Sequence, residues 1–211
     1  MVNYEQAFKR PFTDFKKLLI GILLSILPIV NFFAAGYQLR CASSALKKKF
    51  ELPEWKDFGD LFFKGLMLFV ISIIYFIPVI VLAILIILLA GSGVLTFFLS
   101  NDPLTTIPLV GTALILTIIA IVLAILISFI VPMAIMHYIE KNKFKNAFNF
   151  TSVFRKAFTG TYFTVWLLLT IYTLIISFLL TFIPYLGSAI ASFITGVTFL
   201  TAIGEVYSTI K

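Results

Sequence analysis

Cysteine and histidine each occur once in this 211-residue sequence, as Cys41 and His137. One thiol excludes an intramolecular disulfide, and one thiol with one imidazole cannot supply the ligands of a His/Cys metal centre. Charge is scarce as well. Asp, Glu, Lys and Arg make up 12% of the chain, against about 25% in soluble domains. Runs such as Leu66–Ala90 and Thr112–Met136 hold no charged residue, and each exceeds the ~18 apolar residues that mark a membrane span. A soluble core of this size has no room for so much apolar surface. The composition therefore reads as an integral membrane protein, and no cofactor or metal is expected.

Acids are the rarer charge: nine Asp and Glu stand against sixteen Lys and Arg, a net charge of +7. In a soluble protein that excess would suggest nucleic acid; in a membrane chain it has a nearer explanation, and no nucleic-acid partner is expected. The bases cluster. Four precede residue 18, six lie within Arg40–Lys64, five within Lys141–Lys156, and the last is Lys211. The positive-inside rule puts those segments, and both termini, on the cytoplasmic side of the cell membrane. The basic, then apolar stretch after Lys9 also contains Glu5 and Asp14 around its basic part, so it is expected to be a retained segment and not a signal peptide.

What the chain does have is a repeated pattern. Tyr4–Phe12 (YEQAFKRPF), Phe58–Leu66 (FGDLFFKGL) and Phe150–Phe158 (FTSVFRKAF) align as aromatic, apolar, Phe, base and apolar at fixed offsets. The apolar spacing fits one face of a helix. Phe8, Phe12, Trp55, Phe58, Phe62, Phe148, Phe154 and Phe158 are expected to dip into the lipid interface while the charges stay in water. A second element, Leu27–Asn31 (LPIVN), Ile107–Gly111 (IPLVG) and Ile183–Gly187 (IPYLG), has the Pro and Gly or Asn of a tight turn. Gly91–Thr106 reads as a long outer loop carrying Asp102.

The repeating unit predicted is interfacial helix, span, Pro turn, span. The fold class is an all-α membrane protein of three helical hairpins, six spanning or partly spanning helices in a single domain. The units run over about 1–50, 51–140 and 141–211. Hairpin one is the weak member: Leu18–Leu27 is only about 15 Å long, so it either starts earlier, with Lys16 and Lys17 snorkelling, or is re-entrant. The Leu109–Ile139 limb is too long for an upright span, and tilt or a kink at Pro132 is expected to absorb the excess. Pro78 is expected to kink its own span.

Residues that could do chemistry at membrane depth are nearly absent. Arg40 and Glu205 sit near inner boundaries and could pair. An intramembrane ionisable residue is a functional-site hypothesis by default, so this scarcity argues against ion-coupled transport, intramembrane proteolysis and lipid phosphoryl transfer. Glu51, Glu54, Asp57 and Asp60 are interleaved with Lys56 and Lys64 and lack the glycine-bearing loop of a cation site; a solvated face explains them. Lys47, Lys48 and Lys49 form a basic run suited to anionic headgroups, at roughly 1 kcal/mol per base. Ser188, Ser192, Gly196 and Gly204 form a small-residue stripe for close helix packing.

Gly36-Tyr37, Leu39-Arg40, Leu52-Pro53-Glu54-Trp55, Asp57, Asp60-Leu61-Phe62, Gly65, Tyr75 and Pro78 resemble an uncharacterised, largely archaeal family of multi-pass membrane proteins, a domain of unknown function. The resemblance is dense over about a fifth of the chain and implies the fold; it implies no activity. The expected function is non-enzymatic, with no catalytic residue: a protein that grips the anionic inner leaflet and organises lipid, partner membrane proteins or copies of itself. The alternative is an oligomeric channel or passive facilitator for ions or a small solute. A third, weaker reading is a lipid-modifying enzyme using Arg40 and the acids of residues 51–60.

Overall fold

The computed structural model describes residues 3–100, 103–184 and 186–210. Among them there is no strand. The helices are α1 (Tyr4–Lys9, prolonged by a 3-10 turn over Arg10–Phe12), α2 (Phe15–Ser25), α3 (Asn31–Leu46), α4 (Phe58–Ser100), α5 (Pro103–Lys141), α6 (Phe150–Ala157, preceded by a 3-10 segment over Phe144–Phe148), α7 (Gly160–Leu180) and α8 (Leu186–Thr209). Starts are marked by short polar caps. The side chains of Asn3, Asp14 and Asn149 accept from the amides of Gln6, Lys17 and Ser152, opening α1, α2 and α6. At the end of α3, Lys48 takes a positive φ of 56° while the amides of Lys48 and Lys49 return to the carbonyls of Ala45 and Ser44. That is a Schellman ending.

Four helices are long and apolar enough to cross a membrane: α4, α5, α7 and α8. At 1.5 Å per residue α7 and α8 measure about 32 and 36 Å, close to a ~30 Å hydrocarbon core, whereas α4 and α5 reach about 64 and 58 Å. By the same rule α2 and α3 are only about 16 and 24 Å long, so the expected count of six rests on two short helices. The chain divides into two compact units, Met1–Ile71 with Pro132–Lys211, and Ser72–Val131.

In the first unit α8 is the central element, packed most extensively on α3, then on α7, α2 and α1. The core gathers Leu18, Ala34, Tyr37, Cys41, Leu52, Leu61, Phe193, Ile194 and Val197. Two glycines bring backbones together. A Cβ on Gly36 would lie 1.8 Å from the Leu61 carbonyl oxygen, and one on Gly65 would lie 1.9 Å from that of Phe32. These reciprocal contacts press α3 against the first turns of α4. In the second unit α4 and α5 meet at Gly93, where a Cβ would lie 3.0 Å from Val110. Most large side chains between Ile73 and Leu126 are exposed Ile, Leu, Val and Phe, as a lipid-facing surface requires.

Three sequence expectations are corrected. Residues 91–106 are not a long loop: α4 continues to Ser100 and α5 begins at Pro103, while Asp102 lies outside the described residues. Pro108 is inside α5, so IPLVG is helix and not a turn, and Pro78 and Pro132 likewise lie within continuous helix. Neighbouring helices and hydroxyls can satisfy the carbonyl that a Pro frees at membrane depth. The first and third Pro turns do stand, between Ser25 and Asn31 and between Leu180 and Leu186. Finally, the segment from Glu51 is not a separate interfacial helix. Residues 51–57 are a strap without helix, and Phe58–Leu66 are the opening turns of α4.

The reason lies in the strap's carbonyls. Glu51 O accepts from Arg10, Leu52 O from Lys17, Pro53 O from the Tyr37 hydroxyl, and Lys56 O from Arg40, at 2.8, 3.0, 2.9 and 2.6 Å. Side-chain donors take the place of the i+4 amides that a helix would have supplied. Asp57, at φ 54°, then turns the chain into α4.

Candidate functional site

The ends of several helices in the first unit enclose a polar cavity of about 680 Å³. The last turn of α3 contributes Ser43 and its cap Lys47, and the second turn of α4 contributes Lys64. The end of α5 brings Tyr138, Glu140 and Asn142; α6 brings Lys156; and the last turns of α8 bring Tyr207 and Ser208. Leu39, Leu46, Ile139 and Ile210 form its apolar wall.

A chain of hydrogen bonds stiffens one side. The Tyr207 hydroxyl donates to Glu140 Oε2 at 2.9 Å, and His137 Nδ1 lies 2.5 Å from the same phenol oxygen. With the phenolic proton given to the carboxylate, Nδ1–H is the donor in the second contact. Lys156 Nζ sits 4.2 Å from the centre of the Tyr207 ring and donates to Ile210 O at 2.5 Å. Burial pushes the Lys156 ammonium below its ordinary pKa, with Glu140 opposing that shift. Lys64 donates to Asp60 at 2.8 Å, and Arg40 reaches the same carboxylate oxygen at 2.8 Å. Lys47 is exposed and makes no ion pair among the described residues.

A second cluster, on the far side of α3, is built on Arg10. The residue is 1% exposed. It donates to Cys41 O at 2.8 Å, Thr201 Oγ1 at 2.9 Å, Glu51 O at 2.8 Å, Lys49 O at 3.4 Å, and to the Ser44 hydroxyl. No carboxylate is among these partners. The charge rests instead on one carbonyl of α3, Cys41, two carbonyls of the segment that follows it, Lys49 and Glu51, and two hydroxyls. Burial drives its pKa down from the ordinary arginine value, yet guanidinium remains protonated in proteins. Nothing in the sequence separates Arg10 from the other basic residues of the first segment, except its place next to Pro11, whose own burial shows that this turn faces inward.

The residues predicted from sequence disperse. Arg40 and Glu205 do not pair. Arg40 lies on the face of α3 beside the start of α4 and binds Asp60, whereas Glu205 faces α1 and accepts the Asn3 amide at 3.1 and 3.0 Å. Trp55 is half-buried, its ring stacked on Tyr37 at 3.9 Å and its indole N–H donating to Lys17 O. Phe62 packs on Phe32 and Phe33, and Phe58, though 48% exposed, lies against Phe33. Phe8 stands edge-on to Tyr172 at 4.7 Å, and Phe148 is half-buried against Phe144. Phe12, Phe154 and Phe158 remain exposed, the last two stacked on each other.

Of the basic run, Lys47 lines the cavity, and the exposed Lys48 and Lys49 do not. The small-residue stripe is used inside the chain. Gly196 receives the Gln38 side chain, Gly204 faces the Ala42 carbonyl, and Ser192 O accepts from Gln38. Ser188 and Ser192 also line a groove of about 460 Å³ with Thr173, Ser177, Thr181 and Thr195. No cluster of three His, Cys, Asp or Glu able to hold a metal is present among the described residues.

A family of proteins of unknown function, DUF4013, matches residues 19–185, about four-fifths of the chain. The chain belongs to DUF4013. No curated protein and no solved structure matches it. The DUF4013 match takes in Lys47, Lys64, Glu140 and Lys156 of the cavity and stops before Tyr207; Arg10 and all of α8 also fall outside it.

Proposed function

We propose that this DUF4013 protein is a non-enzymatic, multi-pass protein of the cell membrane that holds and organises anionic lipid of the cytoplasmic leaflet, with both termini on that side. In this reading α4–α5 and α7–α8 are two spanning hairpins and α2–α3 is a short, partly spanning third. The observation that carries the reading is α6. It buries Val153 and Ala157 against the protein and leaves Phe150, Phe154 and Phe158 at 54%, 38% and 61% exposure, beside Arg155 and Lys156. An aromatic row with flanking bases, one turn from the start of a long apolar helix, has the form of a segment lying in the headgroup layer.

The test is hydrogen exchange on the full chain in liposomes of phosphatidylcholine with and without phosphatidylglycerol. Replacing Phe150, Phe154 and Phe158 with serine should speed exchange over residues 150–157 at least roughly tenfold, since each buried ring is worth about 1.5–3 kcal/mol. The anionic lipid should slow exchange in the unaltered protein, and salt should weaken that effect. Unchanged exchange in the triple variant would sink the interfacial assignment. The hydroxyl-lined groove between α7 and α8 favours a second reading, a passive channel. Solute flux through the same liposomes, indifferent to anionic lipid, would promote it.

A further inference from the structure

We propose that the cavity between the ends of α3, α4, α5, α6 and α8 is a binding site for the phosphomonoester headgroup of an anionic membrane lipid. The inference rests on the bilayer-binding reading above and names the ligand class for it.

Charge points to the monoester. Of the charged residues that line the cavity, Lys47, Lys64 and Lys156 stand against Glu140, whose carboxylate is held by Tyr207 and Lys141. Two positive charges remain in excess. A phosphomonoester carries about −1.5 to −2 at neutral pH, so it matches that excess, whereas a phosphodiester carries one. The donors suit it too. Lys47 is uncommitted, and Ser43, Ser208 and Asn142 supply neutral polar groups around it. Lys156 is already partly stripped of water by its place between Tyr207 and Ile210, and an ammonium so placed gains most from a new anion.

Position points to a lipid and not to free phosphate. Lys64 lies two residues before the long apolar run of α4, and Glu140 and Asn142 lie just after that of α5. Chain charge begins at these helix ends, which is the level at which lipid charge begins. The apolar wall of Leu39, Leu46, Ile139 and Ile210 can take the glyceryl part, and about 680 Å³ lies within the usual range of ~300–1,000 Å³ for small-ligand sites.

The experiment places the full chain in phosphatidylcholine nanodiscs containing 5 mol% (~1 in 20) of either phosphatidic acid or phosphatidylglycerol, a dilution chosen so that general surface charge stays low. Native mass spectrometry then counts the lipids each chain retains. One phosphatidic acid per chain, retained in preference to phosphatidylglycerol, is the expected result. Lys47→Gln should cut that retention about fivefold, and Lys47→Gln, Lys64→Gln and Lys156→Gln together about a hundredfold. Lys16→Gln, Lys143→Gln and Lys145→Gln, on exposed residues outside the cavity, should leave it unchanged. The Lys47 side chain makes no ion pair among the described residues, so its single variant remains informative if the triple variant unfolds. Equal retention of the two lipids, or loss in the surface variant instead, would overturn the cavity assignment and leave bilayer binding standing. Protection of the cavity by inorganic phosphate as strong as that by phosphatidic acid would overturn the lipid source. Indifference of the unaltered chain to both anionic lipids would remove the bilayer reading along with the site.

Discussion

Five side-chain hydrogen bonds converge from the Arg10 guanidinium on three backbone carbonyls and two hydroxyls, drawn from α3, the segment that follows it and α8. A buried carbonyl that loses its donor costs about 1–3 kcal/mol. Arg10→Met strips Glu51 of its donor, while Cys41 keeps that of Ser44, and should lower stability by about 1–3 kcal/mol. Arg10→Lys keeps the charge but replaces a planar fork with a point donor, and should fall between. Thermal unfolding in lipid nanodiscs reads both, and an unaltered melting temperature in Arg10→Met would mean that the cradle contributes nothing. The strap 51–57 depends on the same logic, since Lys17, Tyr37 and Arg40 hold its other carbonyls. Lys17 also bonds Glu54, and that contact keeps the Glu54 carboxyl below its usual pKa. With the folded pKa depressed, this contribution is present above the usual carboxylate range and is lost as pH falls through the lower, folded value.

Among the helices, the crossing of α3 and α4 is set by absence of side chain. Gly36→Ala would put a methyl 1.8 Å from a backbone oxygen, which no rotamer can relieve, so the helices must part. A loss of about 1–3 kcal/mol is expected, against no loss for Gly59→Ala, whose added methyl meets nothing within 4 Å. Equal melting temperatures for the two would show the crossing to be soft. Helicity, four of the long apolar helices, and the turns at Pro28 and Pro184 were legible in the sequence, because apolar length and paired Pro and Gly or Asn signals are local properties. IPLVG misled because Pro108, Gly111 and the outer polar residues carry the same letters as a turn, yet at membrane depth an unpaired backbone costs more than a Pro inside a helix. The stack of Trp55 on Tyr37 was hidden for a different reason. The amphipathic surroundings of Trp55 fit an interface, and only the arrival of Tyr37 from α3 makes a stack the better place for the ring. Arg10 and the cavity were hidden because both assemble from segments far apart along the chain, which no periodicity records.

For the molecule as a whole, the N-terminal helix is fastened by the last one. Thr201 lies 191 residues beyond Arg10, and Glu205, which takes the Asn3 amide, lies 202 beyond it; α1 packs on α8 along its length. At roughly 5–20 residues per second of synthesis, about 10–40 s separate the making of Arg10 from the making of Thr201. During that interval Arg10 can already reach Cys41, Ser44, Lys49 and Glu51, and later Phe8 can reach Tyr172, but α1 has no α8 to rest on and lacks its ties to Thr201 and Glu205. A chain halted after residue 185 should leave residues 3–12 open to protease, while the chain carried through Thr209 shields them. Equal protection of the two would show that the contacts of Arg10 and Phe8 with α3, the strap and α7 hold α1 without α8. Time thus enters the fold in reverse order: the residues made first are among the last to take their permanent place.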